Sequence, residues 1–302
     1  MTAGFVYIAT GDKRYLHEAA ASAESLRRFH PDARVCLISD IAESPQFWND
    51  LVVLPDSQRG FRDKIAMHRC PYDKYLYLDT DTFITGELNA VFDLLDRFDF
   101  CGQQLFEGHD YEIPEVPETF GEFNGGVLGF RRSPATDTFF AEWMRLYDEY
   151  AARNRDGSYD YSNVSDQKTL RIALYQSALR IAALPVEFNF TPHFTFPANL
   201  AVRVIHGRRD RGFEELTQRM NSRLGPRAYV PSLDAVVTGN MSASELSRTM
   251  LGALAQLTRL AARQLLPQRL LEKLRESSWI RRVLLGQHFQ KELPVDREKW
   301  RR

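Results

Sequence analysis

Short apolar runs alternate with amphipathic stretches through the first half of this chain. Residues 5–9, 35–38, 51–54 and 75–78 are four or five residues each, drawn mostly from Val, Ile, Leu, Phe and Tyr. That length and character predict buried strands. Between them, 13–29 repeats its apolar positions at helical spacing, with Leu16, Ala19, Ala20, Ala23 and Leu26 on one face, and 62–69 also reads as a helix. Alternation of this kind predicts an α/β fold with a mainly parallel central sheet flanked by helices. In such sheets the loops that follow the strands gather at one edge, where ligands bind. That edge would collect Thr10-Gly11-Asp12, Ser39-Asp40 and Asp79-Thr80-Asp81.

Beyond Asp99 the pattern changes. Residues 103–123 are rich in Pro, Glu and aromatics and read as a long loop, followed by a strand over 126–131. A helix over 136–150 carries Phe139, Phe140, Trp143, Met144 and Tyr147, and a polar loop over 154–161 leads to another helix over 165–178. Short strands are expected near Leu184 and over 202–205. Pro, Gly, Asn and Ser then mark a boundary within 232–244, which divides the chain into an α/β domain, 1–235, and a helical extension, 236–302.

Charge sharpens that division. The net charge of −1 conceals 13 Lys/Arg against 6 Asp/Glu over residues 245–302, which leaves 26 basic and 34 acidic residues in the rest. Leu246, Met250, Leu254, Leu257, Ala261 and Leu265 keep helical spacing, with Arg259, Arg263, Arg269 and Lys273 interleaved, and Trp279 follows. A basic amphipathic helix with Trp suits an anionic membrane interface; a helical cap on the first domain is the other reading, and both stand. The acidic body and the lack of a reader motif speak against nucleic acid. Cys36, Cys70 and Cys101 have no metal-type spacing and read as reduced core residues. The chain begins without a basic, apolar leader pattern and has no run of about 18 apolar residues. The expected location is cytoplasmic, with peripheral contact at the inner face of the membrane.

Asp79-Thr80-Asp81, delivered by the apolar run 75–78, is the most chemically suggestive step. If the extended geometry persists, both carboxylates point to one side and suit a divalent cation that also holds phosphate oxygens. The competing reading is a solvated turn. Four further motifs accompany it: Phe61-Arg62-Asp63-Lys64, Phe123-Asn124-Gly125-Gly126-Val127, Ser165-Asp166-Gln167 and Val204-Ile205-His206-Gly207, with Phe188-Asn189-Phe190 between the last two.

In order and spacing these motifs resemble the GT-A glycosyltransferases, above all the glycogenin-like and lipopolysaccharide-galactosyltransferase-like members of family eight, over residues 4–210. The resemblance implies a Rossmann-like nucleotide-diphospho-sugar transferase fold and hexose transfer from a UDP-sugar to a hydroxyl of a glycan or glycolipid, with retention. It implies that Asp79, Asp81 and His206 hold Mn²⁺ or Mg²⁺. Thr10, Gly11, Asp12 and Tyr15 would meet the nucleotide, Lys64 and Arg62 the donor's charge, and Thr80, between the two aspartates, would also bind the donor. Asn124, Gly125 and Gly126 would lie beneath the donor sugar, with Asp166 and Gln167 as catalytic candidates. Where the family often has Gly and Lys after the late His, this chain has Gly207-Arg208-Arg209, and Arg208 or Arg209 would serve the phosphates. A sugar nucleotidyltransferase or hydrolase, an inverting GT-A enzyme and a non-catalytic glycan-binding relative are the alternatives. A nucleotidyltransferase would want a glycine-rich loop after the first strand, and Thr10-Gly11-Asp12-Lys13-Arg14 has one glycine.

Overall fold

The computed structural model describes residues 2–41, 47–105, 113–155, 166–208 and 212–239, with Ser242, Ser247, Leu251 and Leu254 beyond them. In chain order its first elements are β1 (Ala3–Ala9), α1 (Lys13–Arg27), β2 (Val35–Ser39), β3 (Asp50–Val53), a 3₁₀ segment (Phe61–Arg69), β4 (Lys74–Leu78) and β5 (Thr82–Ile84). Then come α2 (Asn89–Leu94), β6 (Phe100–Gln104), β7 (Phe123–Arg131), α3 (Pro134–Arg155), α4 (Asp166–Gln176) and β8 (Ile181–Leu184). Last are β9 (Pro197–Ala198), β10 (Val204–His206), α5 (Phe213–Asn221), β11 (Arg227–Val230) and β12 (Ala235–Thr238).

The central sheet has the order β3-β2-β1-β4-β7-β6-β8. β3, β2, β1 and β4 are parallel, β8 is parallel to β6, and β7 alone runs against its neighbours. The start of β7 therefore lies at the same edge as the carboxyl ends of β1 and β4. β1 and β2 are covered on both faces, which is why their sequences are continuous apolar runs. β3 differs from the buried strand expected over 51–54. It is an edge strand that exposes Leu51 and Val53 in alternation.

The two core layers lie on either side of this sheet. Leu16, Ala19, Ala23 and Leu26 of α1 pack with Val91 and Leu95 against one face. Phe139, Phe140 and Trp143 of α3, with Ile65 and Met67 of the 3₁₀ segment and Leu170 of α4, pack against the other. Trp143 Nε1–H donates to Thr169 Oγ1 at 3.1 Å and joins α3 to α4. The three cysteines are buried and free, and burial pushes their thiols up.

Several boundaries differ from the sequence pattern. α1 stops at Arg27 rather than 29, and its buried face includes Ser22 and Ser25, whose hydroxyls are bonded inside the protein. Ser22 Oγ lies 3.0 Å from the Tyr7 hydroxyl and 2.7 Å from Thr82 Oγ1, while Ser25 Oγ accepts from Ile84 N–H at 2.9 Å. The segment 62–69 is 3₁₀ rather than α. β7 begins at Phe123, and within the expected loop Gln103 and Gln104 belong to β6 while Ile113 and Val116 are buried in the core. β5, which the sequence pattern did not predict, pairs antiparallel with β10.

The chain divides into two compact units, Met1–Ala228 and Tyr229–Arg302. In the second, the Tyr229 hydroxyl donates to Asp234 Oδ1 at 2.8 Å ahead of β12. The basic helices expected over 246–285 lie outside the described residues, apart from Ser247, Leu251 and Leu254. Among the described residues no helix is long and apolar enough to cross a membrane.

Asp99, buried where β6 begins, accepts from Arg180 Nε–H and backbone N–H, both at 3.0 Å, and pairs with Arg131. The Arg180 hydrogen bonds, reinforced by Arg131, outweigh burial and hold its carboxyl well below the usual range. Its contribution to stability is present above the unfolded pKa, about 4, and is lost as pH falls through the lower folded value. Asp99→Asn is expected to cost about 1.5–3 kcal/mol at neutral pH. In urea titrations across pH, its deficit should shrink steadily below about pH 4.

Candidate functional site

The Asp79-Thr80-Asp81 step is a tight turn, not a continuation of β4. Thr82 N–H reaches back to the Asp79 carbonyl at 3.2 Å, and Thr82 Oγ1 donates to the same oxygen at 2.8 Å. Two distant strands pin this turn. Asp79 N–H donates to the Gly126 carbonyl of β7 at 2.8 Å, and Gly207 N–H donates to the Asp81 carbonyl at 3.1 Å. Strand alternation is therefore not what aligns the carboxylates; backbone pairing to β7 and β10 does so. Their side chains are 20% and 16% exposed, which sets them apart from a solvated corner.

The β5–β10 register places His206 opposite Thr82. Its Nε2 lies 3.4 Å from Asp79 Oδ2 and 3.5 Å from Asp81 Oδ1. One ligand atom from each of Asp79, Asp81 and His206 fits within 4.8 Å of the others, a candidate divalent metal site. Two carboxylate oxygens and one imidazole nitrogen can hold a divalent cation, and the nitrogen, softer than oxygen, suits Mn²⁺ better than Ca²⁺. The imidazole lies directly on the β7 backbone: a Cβ on Gly126 would sit 2.0 Å from His206 Cε1. Its Nδ1 is 3.0 Å from Asn189 Oδ1, and Asn189 Nδ2–H donates to Asn124 Oδ1 at 3.0 Å. Burial disfavours the imidazolium, but Asp79 and Asp81 outweigh it and push His206 up to about 9.

Lys64 is the charge hub behind the turn. Its Nζ lies 3.1 Å from both Asp79 Oδ1 and Asp166 Oδ2, and 3.5 Å from the Gly125 carbonyl. Burial opposes its charge, and the two carboxylates outweigh burial and push its pKa up. The same burial works against ionised Asp79, yet Lys64, His206 and the Tyr77 hydroxyl together hold that carboxyl well below its usual range. For Asp166 burial prevails and raises it, with Lys64 opposing. Gln167 Oε1 accepts from Gly125 N–H at 3.1 Å while its Nε2–H donates to Glu122 Oε1 at 2.7 Å. Asn124 Oδ1 accepts from Gly126 N–H at 2.9 Å. Asn124, Gly125, Gly126, Asp166 and Gln167 thus assemble behind the metal cluster.

In front of it opens a cleft of about 450 Å³, with Thr10, Tyr15, Lys64, Asp79, Thr80, Asp81 and Arg208 among its lining. Arg208 is held by two hydrogen bonds to Glu18, both 2.9 Å, with its guanidinium 5.6 Å above the Tyr15 ring and 3.7 Å from Asp81. Thr80 Oγ1 donates to Glu18 as well, at 3.1 Å. Gly11 has φ 81°, donates from N–H to Asp40 Oδ1 at 3.1 Å, and lies under the Arg59 side chain.

Of the residues expected to meet the nucleotide and the donor's charge, Gly11, Asp12 and Arg62 are not in the cleft lining. Asp12 is exposed and caps α1 through Arg14 N–H at 2.9 Å, and Arg62 pairs with Asp148 of α3 at 2.6 and 2.9 Å. Arg209 lies outside the described residues. The sequence pattern did not single out Glu18, Arg59 or Glu122, and it gave no role to Phe61 or Asp63 within their motif. Asp63 is buried and accepts from Thr10, Ser57 and the backbone of Gln58 and Arg59, which shapes the loop beside the cleft. Its neighbour Lys64 was the one available signal; Glu18 sits mid-helix with nothing local to mark it.

Among solved structures the protein is similar to the galactosyltransferase LgtC in complex with donor and acceptor sugar analogues, with TM-score 0.50 and 18% identity over 73% of this chain and 96% of that one. An active-site mutant of LgtC gives TM-score 0.51 at the same identity and coverage. No family profile matches the sequence, and no curated protein does. The fold is that of the GT-A glycosyltransferases.

Gly126→Ala is expected to push the His206 ring off the turn, because the added methyl group has no space. Mn²⁺ affinity, read by electron paramagnetic resonance, should fall roughly tenfold or more, while the circular dichroism spectrum stays that of the wild type.

Proposed function

We propose that this protein is a metal-dependent glycosyltransferase that moves a hexose from a UDP-sugar to a hydroxyl of a glycan or glycolipid, with retention at the anomeric carbon. The observation that carries this reading is the cluster of Asp79, Asp81 and His206, whose two aspartates line a cleft together with Lys64 and Arg208. Such a cleft suits a ligand with a dense negative group at one end. Bound at the three side chains, Mn²⁺ or Mg²⁺ would supply Lewis-acid stabilisation of a nucleoside diphosphate leaving group. Lys64 and Arg208 would meet the charge that develops on that group as the glycosidic bond breaks. Thr10 and Tyr15 lie in the same lining and would receive the nucleoside. Asn124, Gly125, Asp166 and Gln167 would receive the sugar, through an amide, a side-chain-free backbone and two polar groups.

Among the described residues, the carboxylates lining the cleft are Asp79 and Asp81, both in the metal set. Neither is placed as a nucleophile, and Asp166 Oδ2 is engaged by Lys64 at 3.1 Å, which favours departure and attack on one face over a covalent glycosyl-enzyme. The division into donor and acceptor follows LgtC, solved with analogues of both. The activity would reside in residues 1–235. The basic pattern of 236–302, on sequence alone, would hold the enzyme at an anionic membrane that carries the acceptor.

A screen of UDP- and GDP-sugars with Mn²⁺ tests donor, metal and activity together. Turnover of a UDP-sugar is expected, with Asp81→Ala lowering kcat/KM by roughly a hundredfold or more; undiminished metal-dependent turnover in that variant would remove the metal assignment. Full-length protein should co-sediment with phosphatidylserine-containing vesicles at low salt and come off as salt rises. Absence of binding at low salt ends the membrane reading and leaves the transferase reading intact.

A further inference from the structure

We infer that Asn189 is a positioning residue that keeps a proton on His206 Nδ1, so that Nε2, the nitrogen facing Asp79 and Asp81, is the one left to bind a cation. The inference rests on the metal-site reading and adds to it a residue outside the ligand set.

One group in this network has a polarity that needs no assignment. The backbone N–H of Gly126 can only donate, and it lies 2.9 Å from one terminal atom of the Asn124 amide, which must be the carbonyl oxygen. That oxygen receives a second hydrogen bond from Asn189 at 3.0 Å, so the Asn189 atom facing it is the NH₂ group. The remaining terminal atom of Asn189 is then its carbonyl oxygen, and it lies 3.0 Å from His206 Nδ1. A carbonyl accepts, so Nδ1 carries the proton. In a neutral imidazole with Nδ1–H the lone pair belongs to Nε2, the nitrogen 3.4 Å from Asp79 Oδ2 and 3.5 Å from Asp81 Oδ1.

The polarity cannot reverse locally. Turning the Asn189 amide over would set two carbonyl oxygens against each other at Asn124, and turning Asn124 as well would set its NH₂ against the Gly126 N–H. Each leaves buried polar groups unpaired. Asn189 is fully buried and Asn124 is 8% exposed, so water offers little relief. The backbone keeps the pair in place. Phe190 N–H donates to the Val204 carbonyl and His206 N–H to the Phe190 carbonyl, both at 2.9 Å, which locks the 188–190 segment against β10. Gly126 and Asn189 therefore act on the imidazole in different ways. The bare glycine decides where the ring lies, and the amide decides which nitrogen it presents. Hydrogen-bond partners of this kind set metal affinity without touching the ion.

The test is Mn²⁺ binding to full-length protein at saturating UDP, read by electron paramagnetic resonance. Asn189→Leu keeps about the same volume and offers no polar atom. Its Mn²⁺ dissociation constant is expected to rise roughly tenfold to a hundredfold, with thermal melting measured alongside. A change of less than threefold in a folded variant overturns the inference. Should that variant not fold, the wild type decides the matter by ¹⁵N-histidine NMR in Mg²⁺ and UDP, with the His206 signals identified by loss in His206→Gln. A proton on Nδ1 is the expected result, and a proton on Nε2 overturns it. Wild-type protein that takes up no Mn²⁺, with or without UDP, overturns the metal-site reading itself, a result distinct from either.

Discussion

The pairing of β7 against β4 is the constraint on which the site depends. Because β7 runs opposite to its neighbours, its first residues arrive beside the last residues of β4, with Leu78 opposite Val127. One further hydrogen bond, from Asp79 N–H to the Gly126 carbonyl, carries that register into the turn. A parallel strand in the same slot would bring its other end there, and Asn124, Gly125 and Gly126 would lie a strand's length away. The metal cluster and the residues behind it are thus held by sheet geometry, which suits a site needing ångström-level order.

The charge pattern is equally constrained. Asp79, Asp81 and Asp166 are brought close at low exposure, an arrangement that repels itself in isolation. Lys64 from the 3₁₀ segment spans Asp79 and Asp166, and the His206 imidazole faces Asp79 and Asp81. Lys64 therefore joins the two halves of the site, the turn that carries the metal ligands and the helix that begins at Asp166. Glu18 plays a matching part on the other side, where it fixes Arg208 next to Asp81. The protein's own contacts hold these groups in place, so little reorganisation remains when charge must be met.

Much of this was legible in the sequence because local patterns carried it. Continuous apolar runs marked β1, β2 and β4, and the Asp-Thr-Asp, Asn-Gly-Gly, Asp-Gln and late His motifs marked residues that the structure gathers in one place. What was hidden depended on contacts distant in sequence. β5 is three residues long and exists through pairing with β10, some 120 residues later. Ser22 and Ser25 look like breaks in the apolar face of α1 until their hydroxyl partners are known. Arg62 and Lys64 cannot be separated by composition; the 3₁₀ geometry turns one toward Asp148 and the other toward Asp79. Asp12, read from the sequence as a ligand group, caps α1, a use that the adjoining helical pattern also made available.

The contact between Gly126 and His206 has an evolutionary consequence. No side chain fits at 126 while the imidazole occupies its present place, so neither position is free to drift alone. A lineage that acquires alanine or serine at 126 must also abandon or relocate the histidine, and one that replaces the histidine with a smaller ligand releases the glycine. Positions 80 residues apart in the chain thereby form one heritable unit. Their joint variation among related sequences would record where this mode of ligation has been kept and where another has taken over.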